Sequence, residues 1–144
     1  MSAPARLYES LDEMEAVVLG FESCRLAPSE FTHTAHLTVA LWYLSGLTVA
    51  QAAERMRTGL YRFLDHHGLG HEKYNQTITL FWLKITNRAL DAAGINRPLV
   101  EIANEVIARF GNSQLIFDYY SRERIFSEEA KREWVEPDLK PLDF

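Results

Sequence analysis

The chain has 144 residues, 47% of them apolar and 24% charged, which suits one globular domain over residues 1–144 and argues against a disordered or fibrous protein. Fifteen Lys and Arg against twenty Asp and Glu leave a net charge of −5, the wrong sign for a surface that collects phosphates, so no nucleic-acid partner is expected. Cys24 is the single cysteine; it excludes an intrachain disulfide and a multi-cysteine metal knuckle and favours a reducing compartment.

Leu7, Leu11, Met14, Val17 and Val18 recur at helical spacing with Glu9, Asp12, Glu13 and Glu15 between them, which predicts an amphipathic first helix ending at Gly20. Pro28 and Ser29 open a second, with His33, His36, Leu37, Ala40, Leu41 and Leu44 on one core-facing stripe before Gly46 breaks it. Thr48 and Gln51 have capping-box spacing and begin a third helix that runs to about His66. Gly68-Leu69-Gly70-His71 reads as a loop, and Asn75 or a neighbour starts a fourth helix carrying Ile78, Phe81, Trp82, Ile85 and Leu90.

A fifth start lies at Asn96 and Pro98, followed by Leu99, Ile102, Ala103, Val106, Ile107 and Phe110 and a stop at Gly111. Ser113 and Ser127 each suit the cap of a short helix, while Pro137 and Pro141 force an extended C-terminal tail. The fold expected is an all-α, single-domain bundle of about five or six helices. Met1 to Leu7 lack an apolar signal core, and the mainly apolar run Leu37–Leu47 is too short to span a bilayer. A cytoplasmic protein with no membrane partner is therefore expected.

The candidate site centres on His33 and His36. Residues three apart on a helix share a face, so the two imidazoles can converge on one small ligand as acid and base groups or as ligands of a divalent metal. Burying two unsatisfied imidazoles costs a few kcal/mol apiece, so something polar is expected to face them. Tyr74, Asn75, Thr79, Tyr119 and Tyr120 can supply hydrogen bonds, Trp82 and other aromatics can line an apolar pocket, and His66, His67 and His71 flank the loop from which a third metal ligand would come. Equally open is the structural alternative, in which both histidines are core residues satisfied by Tyr, Thr or backbone groups and the loop histidines are solvent-exposed. No P-loop, nucleophile elbow, dinucleotide fingerprint or zinc-protease helix is present.

Phe31-Thr32-His33-Thr34-Ala35-His36-Leu37, Tyr74-Asn75-Gln76-Thr77-Ile78-Thr79, Tyr119-Tyr120-Ser121 and Glu136-Pro137-Asp138-Leu139-Lys140-Pro141-Leu142 together resemble a widespread, uncharacterised bacterial family of small helical proteins over most of the chain. The resemblance implies a helical fold and candidate positions rather than an activity. In that family a histidine often stands where this chain has Asn75, which would complete a three-histidine centre with His33 and His36; an asparagine is a poor transition-metal ligand. The leading expectation is a small-molecule pocket on the histidine pair. Its alternative is a non-catalytic interaction domain, in which Trp134, Leu139, Leu142 and Phe144 of the tail dock a partner or a second copy as a homodimer.

Overall fold

The computed structural model describes residues 7–94 and 96–144, and all regular structure among them is helical. The signal-segment expectation for Met1–Leu7 falls, Leu7 aside, outside the described residues. No helix among them is long and apolar enough to cross a membrane.

Helix α1, Leu11–Glu22, starts where Ser10 accepts a hydrogen bond from the Glu13 amide, with Asp12 and Glu13 opposing the positive end of the helix dipole. It does not stop at Gly20. The left-handed residue that turns the chain is Cys24 (φ 61°), after which the Arg25 and Leu26 amides both return to the Gly20 oxygen at 2.9 and 3.1 Å. Gly20 stays inside the helix with Leu26 folded over it.

Helix α2, His33–Leu44, also departs from expectation. Pro28 and Ser29 lie in a turn closed by the Glu30 and Phe31 amides on the Ala27 oxygen, and Thr32 is the cap, accepting from the Ala35 amide. His33 is therefore the first helical residue and His36 closes the first turn. Eight of the twelve residues are buried, among them Leu37, Val39, Leu41 and Tyr43. A helix apolar around its circumference belongs in the middle of a bundle, and the single stripe read from sequence is only part of its buried surface.

Helix α3, Val49–His66, begins with the expected reciprocal capping box of Thr48 and Gln51. A 3-10 turn at His71–Lys73 leads to α4, Gln76–Ala93, capped by Asn75. Helix α5, Leu99–Phe110, follows Pro98 and ends at Gly111. A 3-10 segment, Ser113–Asp118, is capped by Asn112 rather than Ser113. Two short helices, α6 (Arg122–Ile125, capped by Ser121) and α7 (Glu128–Arg132, capped by Ser127), precede the extended tail.

Two apolar bodies meet at α2. Val18, Phe21, Val39, Met56, Phe63 and Leu83 join α1, α2, α3 and α4 on one side. Leu37, Leu41, Phe81, Trp82, Ile102 and Val106 join α2, α4 and α5 to the C-terminal segment on the other. The tail is part of this second body and is not a free docking arm. Asp138 accepts from the Ser121 amide (2.8 Å) and hydroxyl (2.6 Å), the Leu139 amide donates to the Tyr119 oxygen (2.9 Å), and Phe144 lies edge-on to Phe81 and Tyr119. Trp134 and Leu142 pack against the same core, which leaves Leu139, 56% exposed, as the unburied apolar residue among the four tail residues expected to dock a partner.

Candidate functional site

The first turn of α2 places His33 and His36 in different surroundings. His33 lies against Trp82 of α4, ring centroids 4.3 Å apart, and its Nε2 is 3.0 Å from the main-chain oxygen of Phe110 at the end of α5. A carbonyl only accepts, so Nε2 carries the proton. Burial lowers the His33 pKa from its usual value, and the Phe110 oxygen partly opposes that shift.

His36 faces the other apolar body. Its ring lies 5.9 Å from that of Phe31, which stacks on Phe21 at 4.6 Å and meets Phe63 at 5.3 Å. The Nε2 atom is buried and has no hydrogen-bond partner among the described residues. Burial first, and the charge of His33 second, hold the His36 pKa down at about 4. The positive end of the α2 dipole acts in the same direction. His36 is neutral at physiological pH, with one ring nitrogen unsatisfied.

A second orphan nitrogen lies across the same aromatic group. His67, just past the last turn of α3, sits 4.5 Å from Phe63 with a buried Nε2 that also lacks a partner. It is not one of the solvent-exposed loop histidines expected beside the glycine-rich turn. The available signal was spacing: residue 67 follows Phe63 by four, on the same face of α3. His66 is exposed, and His71 is paired at the surface with Asp65 at 2.6 Å.

The polar residues expected around the pair go elsewhere. Asn75 accepts from the Ile78 amide at 3.0 Å as the α4 cap and donates through Nδ2 to the Ile125 oxygen at 2.7 Å, which uses both ends of its amide. Thr77, the second residue of α4, meets the Ala130 and Glu133 oxygens at 2.8 and 2.9 Å. Tyr120 donates to the Val135 oxygen at 2.7 Å and Tyr119 to Asp143. Tyr74 donates to Gln76 and lies against Tyr61, with Thr79 buried beside it. Of the expected lining, Trp82 alone is brought against either histidine. Asn75 and Thr77 at the start of α4 hold down the C-terminal segment, and Gln76 and Thr79 bond Tyr74.

This donor set does not fit a metal centre. No group of three or more His, Cys, Asp or Glu residues among the described ones is placed to hold an ion. His33 has committed Nε2 to Phe110, and Asn75 has committed its amide to Ile78 and Ile125. Two broad clefts open away from the pair. One of about 590 Å³ lies among α1, α2 and α3, and one of about 340 Å³ lies between α4 and α5 beside Phe110.

No family model, curated protein or solved structure matches the chain.

Proposed function

We propose that this is a small-molecule-binding protein whose ligand takes up the buried Nε2 of His36. The orphan nitrogen carries the reading: leaving a polar group buried without a partner costs about 1–3 kcal/mol, and a ligand that completes the bond recovers that cost on binding. The neutral state of His36 favours an uncharged dipolar group over an ion. The Phe21–Phe31–Phe63 wall favours an apolar or aromatic body behind that group. Neither cleft reaches His36, so entry requires the half-buried Phe31, which precedes the helix, to move aside.

Binding is better supported than acid–base catalysis by the pair. A general acid or base works best with a pKa near the operating pH, whereas His36 sits near 4 and the His33 proton is held by Phe110. A cytoplasmic location, the absence of a nucleic-acid partner and membership of the bacterial family that the motifs resemble belong to the same proposal. A homo-oligomer is the second reading, supported by Leu11 and Leu19, which are both 49% exposed on α1.

Phenol, benzyl alcohol and benzamide are suitable probes. Each is expected to raise the melting temperature of the wild-type protein and to leave His36→Leu unmoved. No shift with any of them, or equal shifts in both proteins, overturns the reading.

A further inference from the structure

The 590 Å³ cleft is independent of the histidines and better furnished with charge. Its centre is Glu22, at the end of α1. One carboxylate oxygen, Oε2, accepts from the Tyr43 hydroxyl at 2.6 Å and meets the Arg55 guanidinium at 3.5 Å. The Arg55 guanidinium also covers the Tyr43 ring at 5.1 Å, and these two contacts hold it in place. The other carboxylate oxygen has no partner among the described residues.

Two turns along α3 from Arg55 and on the same face stands Arg62. Its hydrogen bond is a long one, 3.4 Å, to the Glu22 main-chain oxygen, which leaves most of its donors directed to solvent. Gly59 lies between the two arginines and makes a notch. A Cβ there would come within 2.7 Å of the Phe21 ring, so close packing of α1 on α3 requires glycine at this point of the cleft wall. Glu54 adds a second carboxylate to the wall and Leu47 an apolar surface beside Tyr43.

Two carboxylates and two guanidiniums balance, which disfavours a simple anion or a simple cation and suits a ligand bearing both charges. We infer that this cleft binds a free α-amino acid with an apolar side chain. Its ammonium meets the open oxygen of Glu22, its carboxylate meets Arg62, and its side chain rests on Tyr43 and Leu47. Ion pairs open to water are individually weak, so the affinity expected is in the millimolar to micromolar range.

Calorimetric titration of the full chain with L-leucine and L-phenylalanine tests this, with N-acetyl-L-leucine and L-leucinamide as ligands lacking one charge each. The expected result is binding of at least one amino acid. Removal of either ligand charge, or the substitution Arg62→Gln or Glu22→Gln, is expected to weaken it by about tenfold or more. Arg62→Gln removes one long, exposed hydrogen bond, so it remains informative if Glu22→Gln loosens the end of α1. Absence of binding by both amino acids, or binding of the acetylated or the amidated form as tight as that of L-leucine itself, overturns the inference. The outcome is separable from the His36 proposal, because phenol binding is unaffected by Arg62→Gln.

Discussion

The Nε2–H of His33 donates to the main-chain oxygen of Phe110 at 3.0 Å, across 77 positions of sequence, so the first residue of α2 is tied to the last residue of α5. The end of a helix has carbonyls without intrahelical partners, and here a side chain from another helix satisfies one of them. The bond fixes the His33 tautomer and removes that nitrogen from any chemistry at the surface. His36, three residues on, has no such tie.

His33→Phe keeps the aromatic contact with Trp82 and removes the donor. A loss of about 1–2 kcal/mol in unfolding free energy is expected, seen as a lower denaturation midpoint with an unchanged slope. A midpoint equal to wild type would show that the Phe110 bond contributes nothing to stability.

His36→Leu is expected to act in the opposite sense at low pH. In the folded protein His36 protonates only near pH 4, against about 6.5 for the ordinary residue, so below 6.5 the unfolded chain binds the proton first. Stability is therefore full above that value, falls as the pH drops through the interval, and levels off below about 4. The shift of His33 has the same sign. The leucine variant is expected to lose the His36 part of this acid destabilisation, by a few kcal/mol, in denaturant melts taken across the interval. An unchanged pH profile would mean that His36 is solvated.

Asn75 separates a cap from a metal ligand. Asn75→Asp retains the acceptor for the Ile78 amide but sets an anionic oxygen against the Ile125 carbonyl, and Asn75→Ala loses both bonds. Losses of about 1–3 kcal/mol are expected for each. The metal content of chelator-free preparations is expected to be far below stoichiometric in both wild type and Asn75→His. Stoichiometric zinc in either, abolished by His33→Ala, would contradict the placement of these side chains.

Deletion of residues 137–144 removes the Asp138 bonds to Ser121 and uncovers Phe81 and Tyr119, where Phe144 packs. A drop in melting temperature of several degrees is expected. A truncated chain that melts like the full one would show that the tail does not belong to the core.

The main helices were legible because their signals are local: caps at Thr48, Asn75 and Ser127, a stop at Gly111, and apolar spacing between them. The start of α2 was misplaced because Pro28-Ser29 resembles a helix start but forms a turn on the Ala27 oxygen, while Thr32 is the residue whose side chain caps the helix. The histidine pair was found by its polarity on an apolar face, but its partners were not. Asn75 reaches Ile125 over 50 positions and His33 reaches Phe110 over 77. Bonds from side chains to distant main-chain oxygens leave no residue-type pattern, since any residue supplies the oxygen. The surroundings of α2 were hidden for a related reason: a helix buried on all sides has no periodicity to say which side meets which neighbour.

The most direct test is nitrogen-15 NMR of the His36 imidazole, followed from neutral into acid pH with and without phenol. The account predicts a ring that stays neutral until about pH 4 and an Nε2 resonance that moves when phenol is added. Titration near 6.5, the ordinary histidine value, together with an Nε2 resonance indifferent to phenol, would contradict it.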